Sequence, residues 1–297
     1  MVRGPRWRQT SRGCYVPAEA APTPTQRILD SAPLIPSSGA ITGWAAAYAH
    51  GVDALDGLSP DDLHPQKATI CLGRDTGRLD LSGVAYVRDR LADDEVAILA
   101  GIRVASALRA TVDGVRRAPS LVEAVVFLDM AAAARVVELD DVCGWCGSHH
   151  GLRGLNKIDR AVRLADPASA SPWETRLRML YMLKACLPQP LVNRPVFDLD
   201  GKFLGIPDLF DPDAGLACEF DGQDHRQRRQ HRNDNLREEG LEEVNLVVSR
   251  VDSLDLRYPM PLIDRLRAAH ARGLVRNRGR DHWTIHPPAW WSRRRAA

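Results

Sequence analysis

The chain has 297 residues, which suits two domains, and 44% of its residues are hydrophobic, enough for two buried cores. It contains no run of about 18 apolar residues and its N-terminus lacks an apolar signal segment, so we expect neither a membrane span nor a signal peptide. The six cysteines are too scattered for a disulfide framework, which favours a cytoplasmic protein.

Positive charge is concentrated at the two ends of the chain, although the net charge is only +2. The first twelve residues carry four arginines and no acid, and arginines outnumber acids again from Arg265 onwards. A genome that favours arginine codons would explain the scarcity of lysine, but not this clustering. Because the planar guanidinium group matches phosphate, this distribution suits contact with phosphate groups.

The first 140 residues are predicted to form a small α+β domain. A short strand is expected at Arg12-Gly-Cys-Tyr-Val-Pro, after a turn. The apolar patterns predict helices at 25–34, 40–50, 107–115 and 121–137, and strands at 66–72, 83–88 and 95–99. Gly51 is expected to end the second helix, and Ser120 is expected to cap the fourth.

The second half is predicted to be a mixed sheet flanked by helices. Residues 141–170 form a connecting segment with a helix at 156–164, and residues 171–272 form the domain. Its elements are expected to be a helix at 172–186, strands at 192–198, 202–210 and 216–221, a polar helix at 224–239, a strand at 243–249 and a helix at 261–272. A basic, aromatic tail spans 273–297.

Three carboxylates lie in two neighbouring predicted strands, 202–210 and 216–221. The turn-rich loop between these strands would put Asp208 directly opposite Glu219, and side-chain alternation puts Asp221 on the same face as Glu219. Directly opposed residues have Cβ atoms about 5 Å apart, close enough to share an ion. The pattern therefore predicts a metal site for Mg²⁺, or alternatively Mn²⁺, formed by all three acids. The alternative is a solvated hairpin face with ordinary surface acids.

Glu174 can be explained in two ways that do not exclude each other. Ser171 precedes Pro172 at the start of the predicted helix and Glu174 stands three residues further, which is the pattern of a capping box. In that arrangement Glu174 would accept the backbone N–H of Ser171. The functional interpretation is that Glu174 is a further catalytic carboxylate that reaches the metal.

The segment after the acidic strand could contact the substrate. His225 could act as a general base, or contact water or phosphate, whereas the alternative is a solvated loop histidine. The predicted helix 224–239 is polar on all sides, so a bound phosphate backbone would stabilise it; a solvated helix with local ion pairs is the alternative. The candidate DNA-binding residues of this segment are Arg226, Arg229, Arg232 and Arg237.

Cys143-Gly-Trp-Cys146, with His149 and His150 close behind, has the spacing of half a zinc site or of a redox dithiol. No second ligand pair lies at the usual spacing, and no thioredoxin-like βαβ pattern surrounds it. The cysteines are therefore expected to be incidental residues of a loop.

With these motifs, the C-terminal half resembles the PD-(D/E)xK nucleases, and in particular the Vsr-like (very-short-patch-repair-like) family of unknown function. The matching residues are Ser171 and Glu174, Asp208, Glu219-Phe-Asp221-Gly222 with His225, and Asp234 with Arg237. The resemblance covers about residues 171–255 and implies a restriction-endonuclease-like fold. Asp221 stands where the general pattern has lysine, although the Vsr-like subgroup tolerates aspartate there, so the lysine's role is either absent or passes to another residue, for which His225 is the candidate.

The N-terminal half is similar to the AbiEi-type antitoxin proteins of actinobacteria. The similarity rests on Arg12-Gly-Cys-Tyr-Val-Pro, Gly39-Ala-Ile-Thr-Gly-Trp-Ala-Ala and Gly101-Ile-Arg-Val-Ala-Ser-Ala-Leu-Arg-Ala-Thr-Val-Asp. The winged-helix segment that precedes the first of these motifs in the family is largely missing here. The resemblance implies a cognate toxin as a partner.

Together these features predict a metal-dependent DNA endonuclease that acts in defence or DNA repair. The alternative is a non-catalytic, antitoxin-like or regulatory nucleic-acid-binding protein whose nuclease fold has decayed. Metal binding would distinguish the two.

Overall fold

The structure is a computed structural model that describes residues 5–11, 13–59, 64–74, 83–149, 151–221 and 240–291. The chain divides into two compact units, Met1–Pro167 and Ala168–Ala297. Both mix helices with sheets, which confirms the predicted α+β class. Among the described helices, none is both long enough and apolar enough to cross a membrane.

The N-terminal unit contains a hairpin and a five-stranded mixed sheet. Its strands are β1 (Trp7–Ser11), β2 (Cys14–Pro17), β3 (Ala40–Thr42), β4 (Ala68–Cys71), β5 (Val84–Val87), β6 (Val96–Leu99) and β7 (Ile102–Ala105). β1 and β2 pair with each other, and the larger sheet has the order β5-β4-β3-β7-β6.

Helices of the N-terminal unit pack around a central helix that is buried over most of its length. They are α1 (Pro24–Ser31), α2 (Trp44–Ala49), α3 (Ala107–Arg117), α4 (Leu121–Ala133), α5 (Leu139–Ser148) and α6 (Leu155–Val162). α4 is buried continuously from Ala124 to Ala132, as expected of a helix that is apolar on all sides. Gly114 lets α3 approach α4, because a Cβ there would lie 2.2 Å from the ring of Phe127.

Several predicted elements of this unit are corrected by the structure. The expected helix 40–50 is wrong at its start, since Ala40–Thr42 is a central strand and the helix begins only at Trp44. Strand pairing on both sides of β3 overrides the helical propensity of its short segment. The helix expected to reach residue 137 ends at Ala133, and Arg135 adopts a left-handed φ of 57°. The Ser120 cap is confirmed, because its hydroxyl accepts the N–H of Glu123.

The C-terminal unit contains two sheets, three helices and a short helical stretch at 240–243, within the part of the chain that the structure describes. The helices are α7 (Pro172–Leu183), α8 (Ser253–Arg257) and α9 (Pro259–Leu274). The strands are β8 (Leu191–Val192), β9 (Val196–Asp198), β10 (Phe203–Gly205), β11 (Leu209–Asp211), β12 (Leu216–Asp221), β13 (Val247–Asp252) and β14 (Trp283–Thr284). The main sheet has the order β13-β12-β11-β8, and the smaller one β10-β9-β14.

The main sheet is covered on both faces. Leu209, Leu216 and Cys218 pack on one face against α7 and α9, and Phe210 and Ala217 pack on the other face with residues 241–246 and strand β9. Because both faces are buried, the only polar positions on the central strands that reach solvent are near strand ends. The acids at the end of β12 are at such a position.

The strands of this unit differ from their predicted extents. The predicted strands 192–198 and 202–210 are each split between the two sheets, because both carry a bend between their halves. The strand predicted at 243–249 is instead Val247–Asp252, since residues 240–243 are helical and Asn245 has a φ of 75°. The tail predicted from 273 contributes β14 to the smaller sheet. The predicted helix 224–239 lies outside the described residues.

Candidate functional site

The hairpin register that the sequence predicts is present. β11 and β12 pair antiparallel with Leu209 opposite Cys218, so the next step places Asp208 opposite Glu219. Asp208 lies one residue before β11 and its Oδ2 accepts the N–H of Phe220 at 2.6 Å. This bond holds the Asp208 carboxylate against the backbone between Glu219 and Asp221.

Asp221 is the last residue of β12 and is the most open of the three acids. Asp208 and Glu219 are half-buried, whereas Asp221 is exposed. Its parallel neighbour is Asp252 on β13, but the side chain of Asp252 accepts the N–H of Asp255 at 2.8 Å and caps α8. Asp221 therefore faces solvent at the end of the sheet, beside an acid that is already committed to a helix cap.

Glu174 is buried at the start of α7, where 8% of its surface is exposed. The Ser171 hydroxyl accepts the Glu174 N–H at 3.2 Å, which confirms the predicted cap. The second half of the predicted capping box is wrong, because Glu174 Oε2 accepts the N–H of Ala170 at 2.8 Å rather than that of Ser171. The same oxygen also accepts Asn193 Nδ2 at 2.8 Å.

Asn193 joins the helix carboxylate to the hairpin. Its side chain donates to Glu174 and to the carbonyl of Ala168, while its backbone N–H donates to the carbonyl of Asp208 at 3.1 Å. Asn193 directly follows β8 and has a φ of 48°, a left-handed conformation that asparagine tolerates better than most residues. Asn193 was not predicted as a site residue, because its only sequence signal is an asparagine directly after a short apolar run.

An aromatic stack fixes the N-terminus of α7 against the end of β12. The rings of Trp173 and Phe220 are nearly parallel, with centroids 5.4 Å apart. Arg176, on the same helix as Trp173, places its guanidinium group 4.6 Å from the Trp173 ring centroid. Trp173 directly precedes Glu174 and Phe220 lies between Glu219 and Asp221, so the stack keeps the helix carboxylate near the hairpin acids.

The cysteine beneath the acids is not a ligand. Burial, followed by the charges of Asp211, Asp208 and Glu219, raises the pKa of Cys218 far above its usual value. Metal ions bind the thiolate rather than the thiol. Cys218 therefore belongs to the core of the sheet, as the alternation along β12 predicts.

The fit to a hard cation depends on Asp208 and Glu219. In the described part of the chain, no group of three or more His, Cys, Asp or Glu side chains is arranged to hold a metal ion. Mg²⁺ usually takes only one or two carboxylates from a protein and completes its octahedron with waters and substrate phosphates. Two opposed carboxylates at an open strand end meet that requirement, and they are oxygen donors of the type that Mg²⁺ prefers.

Cys143 and Cys146 lie on helix α5 and not in a loop, which corrects the sequence prediction. Cys143 is exposed and Cys146 is half-buried, and both are free thiols. His149 stacks on Trp145 with centroids 3.8 Å apart, and its Nδ1 lies 2.8 Å from the Trp145 carbonyl oxygen. His150 lies outside the described residues, and the described ones form no zinc-type cluster.

Hydrogen bonds thus connect Asp208 to the Phe220 backbone of β12, and Asn193 bonds to both the Glu174 carboxylate and the Asp208 backbone. Glu219 and Asp221 lie on either side of Phe220 in β12. The remaining predicted site residues lie outside the described part of the chain: His225, Arg226, Arg229, Arg232 and Arg237. No protein-family model, no curated protein and no solved structure matches this chain.

Proposed function

We propose that the C-terminal unit is a Mg²⁺-dependent DNA endonuclease domain with a restriction-endonuclease-like fold, of the PD-(D/E)xK and Vsr-like type. The main support is the register in which Asp208 lies opposite Glu219 at the exposed end of a buried sheet. The link from Asp208 through Asn193 to Glu174 adds a third carboxylate to the same region.

Each acid has a distinct role in this proposal. Asp208 and Glu219 would hold Mg²⁺, or alternatively Mn²⁺, with Asp221 in support, and Glu174 would bind the cation directly or through water. The bound cation would supply the Lewis acidity that phosphodiester hydrolysis needs. His225 positions or deprotonates the attacking water, which adds to phosphorus while the bond to one sugar oxygen breaks and a proton passes to that oxygen.

The direct test is a nicking assay with the full-length protein. Supercoiled, linear and mismatched DNA are each incubated with Mg²⁺, with Mn²⁺ or with EDTA, and the products are separated on gels. Strand cleavage that requires the cation is the expected result. If no DNA substrate is cleaved with either cation, the catalytic proposal fails.

A second candidate is a non-catalytic nucleic-acid-binding protein with a decayed nuclease site, allied to a cognate toxin as the N-terminal resemblance implies. It is favoured by Asp221, an exposed acid at the place of the usual lysine, and by the lack of a three-ligand cluster in the described residues. Calorimetric titration with Mg²⁺ and Mn²⁺ separates the two candidates. Saturable binding that Glu219→Gln removes supports the enzyme, whereas no binding by the wild type supports the second candidate.

Binding to DNA is expected to weaken steeply with salt, because arginine contacts release counterions from the phosphate backbone. Replacing both Arg226 and Arg229 by glutamate should weaken binding by a similar factor on unrelated sequences. It should also lower the slope of log K against log salt by roughly 2, about one unit for each lost phosphate contact. Fluorescence anisotropy from 50 to 200 mM salt, roughly the range over which such contacts matter, measures this slope. An unchanged slope would exclude these two arginines from the interface.

Substitutions of Glu174 and Ser171 should distinguish an effect on catalysis from an effect on helix capping. Glu174→Gln keeps a side-chain oxygen that can accept both Ala170 N–H and Asn193 Nδ2, so unfolding free energy should change by less than about 0.5 kcal/mol. Its lost charge should still lower Mg²⁺-dependent turnover by about 10-fold or more, as outer ligands of a metal do. Ser171→Ala should cost about 1 kcal/mol and leave turnover nearly unchanged. Wild-type turnover in Glu174→Gln would remove Glu174 from the site.

A further inference from the structure

The N-terminal unit contains a cavity of about 890 Å³, which is large enough for a small-molecule ligand. It lies between the segment after β5, the start of α3 and the end of α5. Among the described residues, those that line it fall between Arg74 and Leu152, in the N-terminal unit, whereas the predicted nuclease residues belong to the C-terminal unit.

A charge network borders the cavity and lines it through Asp89, Glu95 and Arg109. It consists of three arginines and three acids: Arg109, Arg116, Arg117, Asp89, Glu95 and Asp113. Arg109, whose surface is 2% exposed, binds Glu95 at 2.7 Å and Asp113 at 3.1 Å. The three positive and three negative charges of this network balance one another.

Glu95 stays ionised within this network. Burial raises its pKa, but the N–H groups of Ala92, Arg109 and Trp145 and the charge of Arg109 outweigh burial, so the pKa of Glu95 is lowered overall. Arg109 also donates to the carbonyl of Arg90 at 3.0 Å, which anchors that part of the rim. The charged groups of Glu95 and Arg109 therefore have hydrogen-bond partners within the protein and do not require a ligand.

Three further arginines line the cavity and are not neutralised by the network. Arg74, Arg88 and Arg90 are all exposed at its rim. In the part of the chain that the structure describes, none of them has a carboxylate within ion-pair distance. The rim therefore carries three surplus positive charges, on guanidinium groups whose geometry suits bidentate contact with phosphate oxygens.

A flat aromatic surface lies on another side of the same cavity. His149 lines it and stacks on Trp145 at 3.8 Å, and Trp145 is fixed by its own bond to Glu95 at 3.1 Å. His149 Nδ1 lies 2.8 Å from the Trp145 carbonyl oxygen, so this nitrogen carries the proton and Nε2 is the ring nitrogen left for other contacts. Leu91 and Leu152 add apolar lining.

We propose that this cavity binds a nucleoside polyphosphate. The three rim arginines match the two to four negative charges, roughly, of a di- or triphosphate chain, and the His149–Trp145 stack with its apolar neighbours provides a surface for the base. A ligand that was only anionic would not need the aromatic surface, and one that was only aromatic would not need the arginines. The proposal concerns a second binding function, in the unit that does not carry the nuclease residues.

The test measures binding of ATP, ADP, inorganic tripolyphosphate and adenosine to the full-length protein, by calorimetry and by tryptophan fluorescence. ATP should bind more tightly than tripolyphosphate, and adenosine should bind weakly. The double variant with Arg88→Gln and Arg90→Gln should lose about 10-fold or more in ATP affinity, because each loses charged hydrogen bonds. His149→Ala should lower the affinity for ATP about 5-fold and leave the affinity for tripolyphosphate unchanged, because the substitution removes only base stacking.

Arg160→Gln is the matched control, because Arg160 is an exposed arginine of the same unit on α6 and does not line the cavity. It should bind ATP as the wild type does. Failure of the wild type to bind any nucleotide at millimolar concentration would overturn the proposal. So would tripolyphosphate binding as tightly as ATP, equal losses in the control and the double variant, or a single-stranded oligonucleotide that binds through Arg88 and Arg90 when ATP does not.

Discussion

Asp208→Asn and Glu219→Gln are each expected to abolish Mg²⁺-dependent cleavage while the fold stays intact. The two acids lie opposite each other, and replacing either one removes one of the two carboxylates proposed to hold the cation. Mutation of a residue that hydrogen-bonds to a metal ligand typically lowers activity about 10–100-fold. Mutation of a direct ligand should therefore lower the cleavage rate more than about 100-fold. Asparagine at 208 retains an oxygen that can accept the Phe220 N–H, so the hairpin should still form.

Asp213→Asn is the matched control for this pair of variants. Asp213 is an exposed acid in the turn of the same hairpin, so the variant changes the net charge equally without touching the strand end. Cleavage rates are measured on supercoiled plasmid over a range of Mg²⁺ concentrations, and circular dichroism checks the fold. Full activity in both site variants would contradict the assignment, and an equal loss in Asp213→Asn would attribute the effect to net charge alone.

Asp211→Ala is expected to destabilise the C-terminal unit by about 3–5 kcal/mol, the usual cost of removing one partner from a buried charged network. Asp211 is 3% exposed and accepts the Tyr181 hydroxyl at 2.8 Å. It also accepts the N–H groups of Asp213 and Ala214 and lies 3.3 Å from His270 Nε2. Burial, followed by the bond to Asp211, raises the pKa of Tyr181, so the tyrosine stays a neutral donor.

Asp211 connects the turn of the hairpin to α7, so its loss leaves the Tyr181 hydroxyl and the N–H groups of Asp213 and Ala214 without an acceptor. Urea unfolding of the full chain measures the change, with hydrogen exchange of the β11 and β12 amides as a local readout. Asp213→Ala, at an exposed position of the same turn, should stay within about 0.5 kcal/mol of the wild type. If Asp211→Ala changes the free energy of unfolding by less than about 1 kcal/mol, the hydrogen bonds to Asp211 contribute little to stability.

The fold of this unit could be predicted where local pattern and tertiary environment agree. Alternation along β12 predicted that Leu216 and Cys218 are buried, and the turn residues predicted the register that opposes Asp208 and Glu219. The extent of the strands could not be predicted in the same way. Residues 202–210 form one continuous β-like pattern, but sheet pairing divides them between two sheets, and nothing in the local sequence specifies the partner strand.

The candidate site shows the same division between local and distant information. The Ser171 cap is a contact between residues three apart, so its sequence signal was sufficient. The bonding of Glu174 was not predictable, because its buried carboxylate takes a donor from Asn193, which is nineteen positions away along the chain. In the same way, the sequence around Asp211 is typical of a turn and does not indicate its contacts with Tyr181 and His270, which lie on helices distant in the chain.

The sequence by itself determined the mixed α+β class of the fold and the hairpin in which Asp208 lies opposite Glu219. Composition and side-chain alternation are local properties of the chain, so they can be read without the tertiary structure. Only the tertiary structure decided which acids are used by the fold and which stay exposed. Asp211 and Asp252 are used by buried bonds and a helix cap, whereas Asp221 stays exposed at the strand end. That difference depends on elements distant in sequence packing together, and burial makes each hydrogen bond to an acid strong enough to fix its role.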